Sequence, residues 1–403
     1  MDPPDAAYLT PFDVKIFARP IFFARALGIP VYLIRTVFGH LLNPNKYRTS
    51  GLATRDATVL DEATRTRIRD IGLKAIRLDP SRFISSCYRQ DKTYNLSAIA
   101  KELSILPYID KIPYSTIIIK NLVGVLAARW AGRRVVVDLM DLWHCDREDV
   151  AFNAVDFAAF RRADCVIAWS RAIQTLLKSY GLKCVEYLPF GIDLEVFDPL
   201  KAPKNLIYEK YPQLEGKTII GYSGGGHWYH GTYKLITAFK LIEKRHRDVV
   251  LAIQTWGQNK LIKSLIEKVG VRNYVLVQPT SFNDPLRLSM LRASDVLVLT
   301  ASRYPTVYLS ERSTLFNYMA AGNAIVAEAT PGSLGVLRYG ENALLSKFND
   351  VVNLATQIER LIKDESLRYE LGANVRKDLE TKYSWDVLKI KIRIIFEKLN
   401  RYT

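Results

Sequence analysis

Residues Tyr304 to Ala327 read YPTVYLSERSTLFNYMAAGNAIVA, and this stretch decides the fold. A polar run, Ser310-Glu311-Arg312-Ser313, opens a short apolar helix predicted from Thr314 to Ala321. Gly322 suits the helix C-cap, and Ala324-Ile325-Val326-Ala327 then reads as a buried strand. A helix start with free N–H groups, a hydroxyl cap and an arginine on its first turn suits a diphosphate.

Outward from this stretch, short apolar runs alternate with longer helical patterns. The predicted strands are 6–10, 31–34, 74–78, 115–119, 134–139, 165–169 and 184–187, then 218–223, 249–255, 274–278, 296–299, 324–327 and 343–345. This alternation argues for parallel sheets covered by helices. A turn-rich segment from Leu188 to Asp193, followed by Val196-Phe197-Asp198-Pro199, separates the two series. The expected domains are therefore 1–198 and 199–382, with a terminal helix over 383–403. In that helix Trp385, Leu388, Ile392, Ile395 and Leu399 recur at three- and four-residue spacing, with Lys389, Lys391, Arg393 and Lys398 on other faces. It reads as a docking helix with solvated charges, or alternatively as a basic helix lying on a membrane.

A chain of 403 residues, 49% hydrophobic and 24% charged, has room for two domains that each bury a core. Apolar runs fall short of the roughly 18–20 residues a membrane span needs; the nearest, Thr116 to Gly132, is broken by Lys120 and Arg129. The start, MDPPDAAYLT, lacks a basic region followed by an apolar one, so a secretory signal is not expected. Cys87, Cys145, Cys165 and Cys184 show neither metal-ligand nor paired spacing and read as reduced core thiols of a cytoplasmic protein. The net charge of +16 attracts nucleic acid, acidic lipid headgroups or phosphorylated substrates. Acidic residues are interspersed with the basic ones, and neither zinc-finger spacing nor an aromatic-basic RNA motif occurs, so nucleic acid is not an expected partner. The charge, with apolar Phe12, Ile16, Phe17, Phe22 and Phe23 near the start, allows peripheral contact with the cytoplasmic face of an anionic membrane; the alternative for these side chains is the core.

Open parallel sheets bind ligands at the carboxyl ends of their strands. In the second series a strand runs into Gly224-Gly225-Gly226 and a helix begins near Thr232. Three consecutive glycines let backbone approach a phosphate or sugar, though a flexible turn has the same composition. His227 and His230 in this loop are either donors to that ligand or ordinary exposed residues. Glu311 suits sugar hydroxyls and Arg312 suits phosphate oxygens, with the Ser313 hydroxyl and the amides near Thr314 completing an anion cradle. A capped surface helix with a Glu-Arg pair is the alternative. In the first series the strand 134–139 ends in Asp138, Asp141 and His144, which suit an acceptor ligand, a general base or electrostatic stabilisation. Asp141, at the loop tip, is the better candidate, and Asp138 has the alternative of a buried, hydrogen-bonded carboxylate. The segment offers too few oxygen ligands for a divalent metal, so no metal is expected.

Several of these words resemble one family. Arg162-Ala-Asp164-Cys-Val-Ile-Ala-Trp-Ser170, Leu188-Pro-Phe-Gly191-Ile-Asp193 and Phe197-Asp-Pro199 are similar to segments of glycosyltransferase family 4, a large retaining group. Phe316-Asn-Tyr-Met-Ala-Ala-Gly322 resembles its Glu-Tyr-Met-Ala-x-Gly signature; Pro331-Gly-Ser, Arg338-Tyr-Gly-Glu-Asn-Ala-Leu-Leu and Tyr383-Ser-Trp385 resemble its closing segments. Arg19-Pro20 before Phe23-Ala24-Arg25 looks like the first helix of some members.

The resemblance implies a GT-B fold, with two Rossmann-like domains facing across a cleft and a C-terminal helix crossing back to the first. It implies a nucleotide-sugar donor, UDP- or GDP-linked, on the second domain and an acceptor on the first, with no cofactor beyond that co-substrate. It further implies metal-independent hexosyl transfer, with retention, to a hydroxyl of a glycan or lipid-linked acceptor. Asp141, backed by Asp138 and His144, falls to the acceptor, and Gly224, Gly225, His230, Glu311, Arg312, Ser313, Thr314 and Asn317 to the donor. Gln278-Pro279-Thr280 falls to the base. The sequence departs from the family at Asn317, where an acidic residue is usual, and at His227 and His230, where many members carry Arg and Lys; Arg312 or Lys234 would then carry the phosphate charge. These departures make a non-catalytic sugar-binding or scaffold protein of the same fold the alternative.

Overall fold

The computed structural model describes residues 4–11, 18–36, 74–78, 99, 102–103, 105–140, 142, 154–256, 259–279, 281 and 283–401. Two units result: Met1–Leu188 with Lys389–Thr403, and Pro189–Leu388.

The first unit holds a seven-stranded parallel sheet. Its strands are β1 (Ala6–Pro11), β2 (Val31–Thr36), β3 (Lys74–Leu78), β4 (Thr116–Lys120), β5 (Arg134–Leu139), β6 (Cys165–Ala168) and β7 (Val185–Tyr187), in the order β3-β2-β1-β4-β5-β6-β7. β4, β5 and β6 are buried along almost their whole length, as strands covered on both faces must be, and their runs TIIIK, RVVVDL and CVIA supply the apolar surface. Phe22 and Phe23 lie on the helix Ala18–Leu27 and are buried, with the Phe23 ring 5.0 Å from that of Tyr8. They are core, so the membrane expectation loses these two residues; Phe12, Ile16 and Phe17 fall outside the described residues.

Asp138, at the end of β5, is fully buried. Tyr8 Oη and Trp169 Nε1 each donate to its carboxylate at 2.7 Å, and Arg19 pairs with it at 3.1 Å while also donating to the Leu188 carbonyl at 3.0 Å. These donors saturate the carboxylate. Asp138 therefore ties β1, β5, β6 and the first helix together, and does not present a free oxygen to a substrate. For two of the cysteines the expectation is also corrected: Cys165 and Cys184 form a disulfide with Cα atoms 4.7 Å apart, because β6 and β7 pair in parallel just beyond them, while Cys87 and Cys145 fall outside the described residues.

The terminal helix spans Trp385–Arg401 and from Lys389 belongs to the first unit. Ile392, Ile395, Phe396 and Leu399 are buried. Arg393 donates to the Ala26 carbonyl at 2.8 Å, and Arg134 to the Leu399 carbonyl.

The second unit begins at Pro189. The reason lies in the turn: Ile192 exchanges backbone hydrogen bonds with Tyr383 and Trp385 at 3.0 and 2.9 Å. Gly191, at φ 65°, brings its α-carbon so close to this strand that a Cβ would stand 2.7 Å from the Tyr383 carbonyl oxygen. The six-stranded parallel sheet comprises β8 (Thr218–Gly225), β9 (Val249–Trp256), β10 (Tyr274–Leu276), β11 (Val296–Leu299), β12 (Ala324–Glu328) and β13 (Leu344–Ser346), in the order β10-β9-β8-β11-β12-β13.

Strand periodicity sorts this unit's core onto two faces. Leu297, Leu299, Ile325 and Ala327 pack with Leu315, Phe316, Tyr318 and Met319 of the helix Ser313–Ala321. Val296, Val298 and Val326 pack with Leu235, Ile236 and Phe239 of the helix Thr232–Glu243. The helix Ser313–Ala321 is buried from Leu315 onward and ends at Gly322, whose φ of 69° is the left-handed C-cap expected of it.

Candidate functional site

Strand order reverses at β8, which is flanked by β9 on one side and β11 on the other. In a doubly wound sheet the crevice outside the carboxyl ends at such a reversal is where ligands bind. Here those ends carry Gly224 and Gly225 on β8 and Thr300 and Ala301 after β11.

The glycine loop is pinned across the reversal. Ser302 N donates to the Tyr229 carbonyl at 3.0 Å, and Thr300 Oγ1 to the His230 carbonyl at 2.9 Å. Gly231 sits at φ 71°, and a Cβ there would lie 2.9 Å from the Ala301 carbonyl oxygen. Only glycine fits both the conformation and the approach. A Cβ on Gly224 would stand 3.6 Å from Thr314 Cγ2, which brings the loop against the first turn of the helix Ser313–Ala321. Tyr318 fixes that juxtaposition from below, its hydroxyl accepting from Ser223 N at 2.9 Å.

The N-cap of this helix is Arg312, and no side chain caps its first turn. The expected hydroxyl cap is therefore corrected: Ser313 is the first helical residue, not the cap. Leu315 N bonds the Arg312 carbonyl at 2.9 Å, which leaves the amides of Ser313 and Thr314 to a ligand. The helix Thr232–Glu243 likewise starts without a side-chain cap, behind Gly231.

Arg312 Nη2 donates to the Thr300 carbonyl at 2.7 Å, and Nη1 lies 3.4 Å from His230 Nδ1. Burial lowers the guanidinium's pKa, yet arginine stays charged. His230 is pushed down to about 3, by burial first and then by the positive charge of Arg312 and the neighbouring His227, so it is a neutral imidazole at physiological pH. The positive charge beside the uncapped amides is therefore that of Arg312 and not of His230.

Lys234 takes no comparable place. It is 1% exposed, with Nζ 2.5 Å from Glu328 Oε1 and from the Ala301 carbonyl. Burial lowers its pKa, and its charge is matched internally by Glu328. Glu311 is also buried, its carboxylate packed on Gly335. Asn317 is 2% exposed and its Oδ1 lacks a partner, as does the buried Ser310 Oγ. Pro279 follows β10, half-buried at the same edge of the sheet, while Thr280, Asp141 and His144 fall outside the described residues.

Sequence reasoning missed several neighbours. Glu328, Thr330, Ser333 and Ser310 line a narrow space with Arg312 and Ala301. Beneath the loop, buried Arg287 donates through Nε to Ser223 Oγ at 2.9 Å, and Ser223 Oγ donates to Gln254 Oε1 at 2.6 Å. Glu328 closes β12, and a carboxylate ending an apolar strand was the available signal; Arg287, in the first turn of the helix Pro285–Ala293, offered none.

The fold agrees with solved structures. Sucrose-phosphate synthase from Thermosynechococcus elongatus superposes with a TM-score of 0.73 at 16% identity, over 99% of this chain and 100% of that one. Anabaena HepE in complex with UDP superposes with a TM-score of 0.68 at 17% identity, again over 99% and 100%. The chain has the GT-B fold. Residues 204–378, all within the second unit, match the family described as Glycosyl transferases group 1. A capsular polysaccharide biosynthesis glycosyltransferase, CapM of Staphylococcus aureus, is 27% identical over 196 residues, 48% of this chain and 49% of the relative. The chain spans about half the length of the curated relatives it matches.

Proposed function

We propose that this protein is a glycosyltransferase that moves a hexose from a nucleotide sugar to a hydroxyl of a glycan or lipid-linked acceptor, without a metal and with retention of anomeric configuration. One observation carries the reading: Arg312, the uncapped amides of Ser313 and Thr314 and the glycines of β8 converge where the strand order reverses. Such a cradle suits a diphosphate. The likeness to group 1 glycosyltransferases and to a fold relative solved with UDP supports a uridine diphosphate sugar as donor.

In this reading the C1–O bond to the diphosphate breaks while the acceptor oxygen bonds C1 on the same face, and the acceptor proton passes to the leaving diphosphate. Arg312 and the two amides stabilise the charge that grows on that leaving group. Ser310 and Asn317, with polar atoms that the protein leaves unpaired, are assigned to the sugar and ribose hydroxyls, and Pro279 and Thr280 to the base. Asp141 and His144 are assigned to the acceptor. Incubation with UDP- and GDP-hexoses, following nucleotide release and product anomer by NMR, tests the reading. Binding without any turnover, hydrolysis included, would instead favour a non-catalytic sugar-binding protein.

A further inference from the structure

The loop that completes the donor cradle carries a cluster of aromatic rings the cradle does not use. Trp228 is 66% exposed. It stands edge-on to two tyrosines, with centroids 5.8 Å from Tyr229 and 6.0 Å from Tyr304. Those two rings stack on each other at 5.1 Å and 30°, and His227 stacks on the Tyr229 ring at 5.2 Å and 9°.

The backbone under each ring is fixed. His230 N and Gly231 N close the turn onto the carbonyls of His227 and Trp228 at 3.0 and 3.1 Å, Ser302 N holds the Tyr229 carbonyl, and Tyr304 N donates to Ser302 Oγ at 3.2 Å. An exposed indole on a rigid support is costly to leave in water and pre-organised for a ligand.

We infer that Trp228, braced edge-on by Tyr229 and Tyr304, forms a platform for a saccharide ring of the acceptor, an inference that rests on the transferase reading above. Three features select this occupant. The negative π-face of an aromatic ring attracts the polarised C–H bonds on one side of a pyranose. The exposed indole joins an apolar face to an N–H donor at its edge, a mixture suited to an amphipathic ring and not to an acyl chain, which packs best against aliphatic walls. The platform is also continuous with the cradle, since Trp228 lies two residues before His230 in the same turn.

The test is saturation-transfer NMR on the full chain with maltotriose, cellotriose and chitotriose, each with and without UDP. At least one trisaccharide should receive saturation, strongest at the C–H protons of one ring face. Trp228→Ala should weaken that binding about tenfold while Trp228→Phe largely restores it, the behaviour of a stacked ring. UDP affinity by calorimetry should stay within about twofold in Trp228→Ala, because the platform holds no phosphate contact. The platform is refuted if no trisaccharide is contacted, or if Trp228→Ala binds it as the parent does. A tenfold loss of UDP affinity in Trp228→Ala would show a nucleobase there instead, and co-sedimentation with phosphatidylglycerol vesicles that Trp228→Ala abolishes would show a membrane anchor; both overturn the inference. Failure of the parent protein to bind UDP refutes the donor reading separately, and leaves the trisaccharide result to stand by itself.

Discussion

Arg312 Nη1 faces His230 Nδ1 at 3.4 Å, and this contact sets the protonation of the loop. A guanidinium only donates, so Nδ1 is the acceptor and the imidazole proton is assigned to Nε2, over Gly225. The folded pKa of about 3 lies far below that of an unfolded histidine, about 6.5. As pH falls below 6.5 the unfolded chain takes up this proton first. The stability that His230 contributes is therefore complete above pH 6.5 and is lost toward pH 3, by up to about 1.4 kcal/mol per pH unit. His230→Gln should remove this component, so urea unfolding at pH 7.5, 6.0 and 5.0 should show parent and variant converging in acid. A constant difference would contradict the assignment.

Two glycine substitutions should separate function from stability. A methyl on Gly225 meets the His230 ring, the end of a side chain that can swing away. Gly225→Ala should keep its melting temperature and lose about tenfold in UDP affinity as Arg312 loses its neighbour. A methyl on Gly332 meets the backbone carbonyl of Ser310, which cannot swing. Gly332→Ala should cost about 1–3 kcal/mol and also weaken UDP binding, because Ser310 must move. Thermal melts and calorimetry on both variants check the contrast.

In the first unit Asp138→Asn leaves the Arg19 guanidinium buried without its counter-charge. Removing one partner of such a pair costs about 3–5 kcal/mol. Chemical denaturation should show that loss, whereas a change below about 1 kcal/mol, typical of exposed pairs, would mean the pair is solvated.

Reduction tests the Cys165–Cys184 bond. The cysteines lie 19 residues apart, and opening a loop of that order costs about 3 kcal/mol. Melts with and without a phosphine reductant should differ accordingly, and thiol titration of the unfolded, unreduced protein should find Cys165 and Cys184 unreactive.

The strands were legible in the sequence because sheets covered on both faces demand short, nearly continuous apolar runs, and Val135-Val136-Val137 or Val296-Leu297-Val298-Leu299 have no other stable place. The glycine loop after β8 and the helix start at Ser313 were legible for a similar reason: consecutive glycines, and a polar run before an apolar helix, leave marks in local sequence. Pairings across the sheet leave none. Arg19 and Asp138 are 119 residues apart, Lys234 and Glu328 are 94, and each carboxylate could be matched to its cation only once strand order was known. That order turns Asp138 from a candidate in the chemistry into a buried tie, and Lys234 from a phosphate ligand into an internal ion pair. It also joins Cys165 to Cys184, which spacing alone did not suggest.

In the proposed reading Arg312 carries the charge that meets a nucleotide diphosphate. Calorimetric titration of UDP into the parent protein and Arg312→Ala tests it most directly, with uridine as a control ligand that lacks phosphate. Loss of a charge-assisted contact should weaken UDP by about 10- to 100-fold and leave uridine unchanged. Equal UDP affinity in the two proteins, with the parent binding UDP, would contradict it.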